Sequence, residues 1–155
     1  MRIDLLAERP ELLRPLAREY EREWPDWYLA GKASAETDLR QRSNSDTLPL
    51  GLVAHVGGAP VGACALTREA GPIETELTPW LGGLWVDVGW RGKGIGSAMV
   101  RRAAAKARRL GYERVYTLTV NAESLMRRLG WREIDRVDAE GQTWAILLRE
   151  TADAD

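Results

Sequence analysis

The feature that most constrains the fold is a glycine-rich stretch between a predicted strand and a predicted helix. Residues 91–96 (RGKGIG) follow the apolar run 84–88 (LWVDV) and open residues 95–110, where apolar and basic residues recur at helical spacing. Glycines let the backbone approach a ligand, and the first N–H groups of a helix have no partner within it. The stretch therefore predicts an anion-binding loop, to which Arg91, Lys93 and Ser97 can add side-chain donors.

Two common phosphate-binding patterns do not describe this loop. The Walker pattern requires glycine, four residues, then Gly-Lys-Ser/Thr, and the chain lacks it. The dinucleotide pattern G-x-G-x-x-G, started at Gly92, needs a glycine where the chain has Ser97. That pattern also follows the first strand of a parallel unit, whereas about four predicted strands come first here.

Composition narrows the class of protein. The 155 residues suffice for one domain with a proper core, and the net charge of −1 argues against a nucleic-acid binder. Cys64 is the sole cysteine and His55 the sole histidine, which excludes a disulfide framework and a zinc site of these ligands. Cys64 is expected to be a buried structural thiol. No signal-like or membrane-spanning run is apparent, so we expect a soluble, cytoplasmic protein without a bound metal.

Periodicity predicts a mixed α/β (α+β) domain over residues 1–150, followed by a disordered tail at 151–155. Glycine pairs and turn residues predict hairpins at 57–58 and 140–141, and Ser34 and Asn121 are the expected N-caps of two helices. Pro25 is expected to end the first helix. The predicted strands are 2–6, 50–56, 59–67, 84–88, 115–120, 131–137 and 143–148. The predicted helices begin at Pro10 and cover 34–42, 95–110 and 122–129.

Two segments resemble landmarks of the GNAT family (GCN5-related N-acetyltransferases). Residues 84–96 resemble its acetyl-coenzyme A motif, and the signature Gln/Arg-x-x-Gly-x-Gly/Ala is matched at every position of 91–96. Residues 124–131 (SLMRRLGW) resemble its short helix that ends in Leu-Gly-Phe/Trp. The resemblance covers roughly residues 50–148. It implies the GNAT fold, a mostly antiparallel mixed sheet of about six to seven strands flanked by about four helices.

The resemblance also implies an acetyl-coenzyme A-dependent N-acetyltransferase. Amides after Arg91 would hold the pyrophosphate, and backbone groups at Val86 and Val88 would pair with the pantetheine arm. The pair Gly82-Gly83 suits a strand bulge, or else a flexible entry to the strand. The cofactor-binding residues implied are Val86, Val88, Arg91, Gly92, Lys93, Gly94, Ile95, Gly96, Ser97 and Asn121.

The implied reaction is direct attack of a neutral amine on the thioester, and its acid and base are less clear. Family members commonly place a tyrosine acid where this chain has Met126, which cannot donate a proton. Three interpretations stay open: water protonates the thiolate; Ser124, Tyr116 or Asn121 substitutes; or the protein binds acyl-coenzyme A without turnover. Glu76 is the candidate base, against the alternatives of a solvated carboxylate or a water chain.

Aromatic and acidic residues indicate where an amine acceptor binds. Trp27 and Tyr28 follow a run of acids, and Trp80 lies in a Thr-Pro-Trp-Leu run like that of family members thought to act on small amines. Aromatic faces and carboxylates together suit a cation, although core packing is the alternative for each tryptophan. A small-molecule amine is the predicted acceptor, and a protein N-terminus or lysine is the alternative. The sequence leaves the oligomeric state open, with a homodimer among the options.

Overall fold

The computed structural model describes residues 1–31 and 33–153, apart from the side chain of Asp153. Seven strands in this part of the chain are hydrogen-bonded in the order β1-β2-β3-β4-β5-β7-β6. β4 and β5 are parallel, whereas the pairs β1–β2, β5–β7 and β6–β7 are antiparallel, which confirms the predicted mixed sheet. The strands are β1 Arg2–Leu5, β2 Leu50–Val56, β3 Ala59–Thr67, β4 Trp80–Val86, β5 Arg114–Thr119, β6 Arg132–Ala139 and β7 Gln142–Glu150.

The described residues form five α-helices, where about four were predicted. The extra one arises at Pro25, which was expected only to end the first helix but also begins a second. Proline suits the first turn of a helix because its missing N–H would have no partner there. The helices are α1 Leu13–Glu23, α2 Pro25–Tyr28, α3 Ala35–Gln41, α4 Ile95–Arg109 and α5 Glu123–Arg128. None of them combines the length and apolar character that a membrane crossing requires.

The chain divides into two compact units. The first comprises Met1–Ala65 and Gly83–Met99, and the second comprises Leu66–Gly82 and Val100–Asp155. The core of the first unit is formed by the apolar face of α1 with α3 and strand residues, and it includes Tyr20, Leu16 and Trp85. The core of the second unit contains Trp80 and Tyr116 with residues of β7. A single domain over residues 1–150 stays a prediction.

Local sequence rules describe several connections correctly. The Ser34 hydroxyl accepts a hydrogen bond from the Thr37 N–H at 3.3 Å, which confirms the predicted N-cap. β6 and β7 are joined by Glu140 and Gly141 with φ values of 51° and 74°, and Gly57 and Gly58 join β2 to β3 with 56° and 80°. Positive φ at both turn positions matches the twist of the paired strands, so the two hairpins form where predicted.

β4 differs from the predicted strand 84–88 at both ends. It begins at Trp80, because Gly82 and Gly83 interrupt the apolar pattern without ending the strand. It ends at Val86, because the chain turns directly after Asp87, whose N–H still donates to the Val61 carbonyl of β3. The Trp90 N–H closes that turn on the Asp87 carbonyl at 2.8 Å, giving a 3₁₀ turn over Val88–Trp90.

Two further predictions were wrong. Asn121 is not the N-cap of α5, because Ala122 occupies that position and its N–H is bound by the Thr119 hydroxyl at 2.8 Å. The tail is not disordered from residue 151, because Thr151–Asp153 form a 3₁₀ turn. The Thr151 side chain is buried and its hydroxyl donates to the Tyr112 carbonyl at 2.6 Å. Ala154 and Asp155 lie outside the described residues.

Candidate functional site

The glycine loop lies in the first unit, between the turn after β4 and the start of α4. Gly92 and Gly94 have φ values of +77° and +83°, which L side chains rarely adopt. A Cβ built on either glycine would meet no atom within 4 Å, so the loop is open on that side. The loop thus has both properties that close approach to a ligand requires, a left-handed backbone and free space.

The start of α4 adds hydrogen-bond donors beside this open surface. The Ala98 N–H bonds the Gly94 carbonyl at 3.0 Å as the first turn of the helix closes. The amides of Ile95, Gly96 and Ser97 precede that bond and have no carbonyl within the helix to pair with. The dipole of the 15-residue helix favours an anion at the same end. These groups fit the oxygens of a pyrophosphate.

Two of the three predicted side-chain donors of the loop, Arg91 and Lys93, already contact other groups of the protein. Arg91 donates through Nε to the Val86 carbonyl at 2.9 Å, and its Nη2 lies 3.6 Å from a carboxylate oxygen of Glu23 on α1. The Lys93 ammonium lies 4.9 Å from the centre of the Trp90 ring. Arg91 therefore ties the loop to β4 and α1, and the anion-binding capacity rests first on the backbone amides.

Gly83 in β4 is a second specialised glycine, and its setting is crowded. Its φ of +59° is left-handed although the residue lies inside a strand, a conformation that favours glycine. The hydroxyl of Tyr20 on α1 donates to its carbonyl at 2.6 Å. A Cβ on Gly83 would lie 3.0 Å from that hydroxyl and 3.2 Å from Nη1 of Arg42. The sequence gives no sign of this contact, since nothing local links two residues 63 positions apart.

The candidate acid and base lie in the second unit. Glu76, in the segment before β4, is exposed, as are Ser124 on α5 and Asn121 before it. Tyr116 is buried and its ring centre lies 5.5 Å from that of Trp80, so core packing is its evident role. Met126 is 1% exposed. The roles of Glu76 and Ser124 in catalysis remain predictions.

The three aromatic residues predicted for the acceptor have different environments. Trp27 on α2 is 43% exposed. Tyr28 is partly buried, which raises the pKa of its hydroxyl to about 12, and this hydroxyl donates to Asp38 at 3.2 Å. Trp80 is 2% exposed and its indole N–H donates to the Leu77 carbonyl. The core-packing alternative therefore describes Trp80, whereas Trp27 presents a surface that a ligand can contact.

The remaining titratable residues that the sequence singled out have structural roles. Cys64 is buried as predicted, and burial raises the pKa of its thiol to about 12, which makes it a poor nucleophile. His55 Nε2 lies 2.7 Å from Asp4 Oδ2, the same oxygen that accepts a hydrogen bond from Arg9. Within the described residues, no group of three His, Cys, Asp or Glu side chains is placed to hold a metal ion.

Comparison with known proteins gives a family match and a set of structural neighbours. No curated protein sequence matches the chain. An aminoglycoside 6′-N-acetyltransferase crystallised with coenzyme A is 16% identical with a TM-score of 0.80 over 97% of each chain. The corresponding enzyme from Enterococcus faecium is 16% identical with a TM-score of 0.78, also over 97% of each. An IAA acetyltransferase from Bacillus cereus is 22% identical with a TM-score of 0.59, over 96% of this chain and 98% of the other.

At these identities the neighbours establish the fold. The model of the Acetyltransferase (GNAT) family matches residues 13–131, which is more than half of the chain and contains both sequence landmarks. With the glycine loop and the start of α4 in place within that match, the chain belongs to the GNAT family of N-acetyltransferases.

Proposed function

We propose that the protein transfers an acetyl group from acetyl-coenzyme A directly to a primary amine of a small molecule. The observation that carries this proposal is the open loop at Gly92 and Gly94, which runs into the first amides of α4, for which the helix itself offers no carbonyl. A pyrophosphate is the part of acetyl-coenzyme A that such a loop suits, because each of its oxygens accepts hydrogen bonds from fixed N–H groups. The helix dipole adds about 0.3–1 kcal/mol for a well-placed anion.

The remaining binding groups follow from the same residues. The amides of Ile95, Gly96 and Ser97 would hold the pyrophosphate, and the backbone of β4 near Val86 would face the pantetheine arm. Arg91 fixes the Val86 carbonyl and keeps its own charge near the loop. Val88, which was predicted to pair as part of the strand, is 76% exposed in the turn after β4. We therefore assign it a weaker role than Val86.

The reaction requires a deprotonated amine and a leaving thiolate. The amine nitrogen attacks the thioester carbonyl, the carbon–sulfur bond breaks, and the amine proton passes to a base or to water. We propose Glu76 or a water chain for this base. A thiolate with a pKa near 8.5 leaves without a strong acid, so water can protonate it although Met126 cannot. Ser124 is the side-chain alternative.

A small cationic acceptor is supported by the surface around α2. Glu21 and Asp26 provide carboxylates within a few residues of the exposed Trp27, and an ammonium group is attracted by carboxylates and by aromatic faces. The structural neighbours include aminoglycoside 6′-N-acetyltransferases, whose substrates carry amino groups. Aminoglycosides and polyamines are therefore the first acceptors to test.

Met126 favours one alternative, a module that binds acyl-coenzyme A without turnover. Its thioether stands at the family's usual tyrosine position and is 1% exposed. Neither its chemistry nor its burial suits proton transfer. Release of free coenzyme A separates this alternative from the enzyme.

The deciding experiment incubates the protein with acetyl-coenzyme A and a panel of amines while a thiol reagent reports free coenzyme A. The panel contains aminoglycosides, polyamines, a peptide with a free N-terminus and a lysine peptide. Cys64 is buried, so the protein itself contributes little thiol signal. Turnover confined to the small amines supports the proposal, and turnover confined to the peptides favours protein acetylation. Tight binding without any turnover identifies the module, and no binding refutes the proposal.

Size-exclusion chromatography of the same sample tests whether the protein forms a homodimer.

A pair of glycine variants tests the loop itself. Gly94→Ala should weaken acetyl-coenzyme A binding by at least about tenfold, or about 1.4 kcal/mol, because the Cβ takes the space through which the backbone meets the pyrophosphate. Gly58→Ala is the matched control, since Gly58 has a φ of +80° and also no atom within 4 Å of its Cβ position. Both variants should lose similar stability, but only Gly94→Ala should lose affinity in calorimetry. Equal affinities would place the pyrophosphate elsewhere.

A further inference from the structure

Tyr20 on α1 contacts β4 at a point outside the glycine loop. Tyr20 is 1% exposed, yet its hydroxyl reaches a backbone carbonyl and makes a 2.6 Å hydrogen bond to Gly83. The ring is itself fixed, edge-on to Trp24 at 4.9 Å between ring centres and stacked with Tyr28 at 6.4 Å. The hydroxyl is therefore held by packing and is not free to follow the carbonyl.

Gly83 is enclosed by this hydroxyl and by Arg42. The Cβ position of Gly83 lies 3.0 Å from Tyr20 Oη and 3.2 Å from Arg42 Nη1, so both side chains lie against this residue of β4. Arg42 Nη1 is buried and makes no hydrogen bond within the described part of the chain. Tyr20 thus supplies the side-chain hydrogen bond that sets the direction of the Gly83 carbonyl.

The direction of the Gly83 carbonyl determines the direction of the N–H of the next residue, Leu84. The C=O of Gly83 and the N–H of Leu84 belong to one planar trans peptide, in which they point to opposite sides. A carbonyl fixed on the Tyr20 hydroxyl therefore fixes the Leu84 N–H on the side away from Tyr20. Leu84 lies two residues before Val86 in the same strand, so a rotation of this peptide plane alters the backbone that leads to Val86.

We infer that Tyr20 is a positioning residue for acetyl transfer, which orients the β4 backbone at residues 83–86 through its bond to Gly83. The inference rests on the proposed function, which assigns the pantetheine arm and the thioester to the backbone near Val86. Tyr20 needs no contact with substrate for this role. Its hydroxyl stays protonated, because complete burial raises its pKa above the ordinary value, so it donates at every working pH.

Tyr20→Phe tests the inference against a matched control, Thr151→Val. Thr151 is also 1% exposed, and its hydroxyl also donates to a backbone carbonyl at 2.6 Å, in this case that of Tyr112. Both variants delete one buried hydroxyl with little change in shape and should lower the urea midpoint to a similar extent. The Thr151→Val enzyme should keep the parent kcat.

The expected signature of Tyr20→Phe is a loss of kcat of about 10- to 100-fold, the scale of a small misplacement near the reacting atoms. The KM of the acceptor and the Kd of acetyl-coenzyme A should change less than about threefold, because the amides that hold the pyrophosphate are untouched. The pH–rate profile should keep its shape. Loss of one limb of that profile would instead make Tyr20 a proton donor and overturn the positioning role.

A readout without substrate separates this inference from the proposed function. Hydrogen exchange measured by mass spectrometry on the free protein should rise in the segment 83–86 of Tyr20→Phe and stay at the parent level in Thr151→Val. Unchanged exchange together with unchanged kcat overturns the inference while leaving the transferase assignment intact. If the parent protein has no transferase activity, the proposed function fails, and with it the role of this backbone in catalysis.

Discussion

The two adjacent glycines of β4 give a direct test of how the strand is built, because they are identical in chemistry and opposite in environment. Gly83 has a φ of +59° and two side-chain atoms within 3.2 Å of its Cβ position. Gly82 lies outside the left-handed region, and its Cβ position has no atom within 4 Å. Alanine should therefore be costly at position 83 and harmless at position 82.

The cost of Gly83→Ala follows from three contributions. A left-handed backbone at a residue other than glycine costs about 1–2 kcal/mol. Displacement of the Tyr20 hydroxyl from the Gly83 carbonyl costs about 1 kcal/mol more, because the ring is held by Trp24 and Tyr28 and cannot withdraw freely. Alanine also lowers the conformational entropy of the unfolded chain, which offsets about 0.5 kcal/mol of this loss in stability. The net expectation is a loss of about 2 kcal/mol in the free energy of unfolding, whereas Gly82→Ala should range from neutral to about 0.5 kcal/mol more stable.

Urea unfolding followed by tryptophan fluorescence measures both variants under the same conditions, and the slopes should match that of the parent. Repeating Gly83→Ala in the Tyr20→Phe background should reduce its cost by about 1 kcal/mol, because the hydroxyl that the Cβ displaces is already gone. Equal midpoints for the two alanine variants would refute the argument, since they would show that neither the positive φ nor the close contacts at Gly83 constrain the strand.

Two more outcomes are expected. Asp4→Asn should lower the free energy of unfolding by up to about 2 kcal/mol at pH 7, because hydrogen bonds from His55 and Arg9 hold the pKa of Asp4 at about 2 instead of 3.8. A lowered carboxyl pKa stabilises the fold above the unfolded value of 3.8, so the difference from the parent should shrink as the pH falls from 4 toward 2 in urea titrations, and a gap that widened would contradict it. Trp27→Ala should raise the acceptor KM several-fold without loss of stability. Leu29→Ala, at a 68% exposed neighbour, serves as its control, and an unchanged KM for Trp27→Ala would remove Trp27 from the acceptor site.

The parts of the fold that the sequence predicted are those in which the cause and its effect lie a few residues apart. Ser34 caps the amide of Thr37, and the turn at Glu140 and Gly141 joins the two strands that flank it. Asn121 shows the limit of this reasoning, since a capping residue type was present but the N-cap is Ala122, whose N–H donates to the Thr119 hydroxyl and whose side chain makes no cap bond. The buried Thr151 was missed because its anchor, the Tyr112 carbonyl, lies 39 positions away.

The same distinction applies to the candidate site. The loop and the helix that follows it are contiguous, so their geometry was predicted correctly from the order of residue types. The partners of Arg91 were not predicted, because Glu23 lies on α1, far from Arg91 in sequence. Its carboxylate competes with a ligand for the guanidinium that the motif alone would assign to the ligand. The bond from Tyr20 to Gly83 was invisible for the same reason. A motif indicates which backbone is a candidate for ligand binding, and only the tertiary structure shows which side chains are already engaged.

The glycines of this chain also show why residue type alone does not mark a functional position. Gly58, Gly83 and Gly94 all have a positive φ, so each is explained by backbone conformation. The three glycines differ in the free space at the Cβ position. The protein's own side chains fill this space at Gly83, whereas it is open at Gly58 and Gly94. Gly94 and Gly58 differ in the element that follows each of them. The amides at the start of a 15-residue helix follow Gly94. Gly58 is followed by a hairpin strand, whose N–H groups pair within the sheet. A glycine is a candidate for ligand binding only when positive φ, open space and helix-start amides without a partner in the helix coincide, as they do at Gly94.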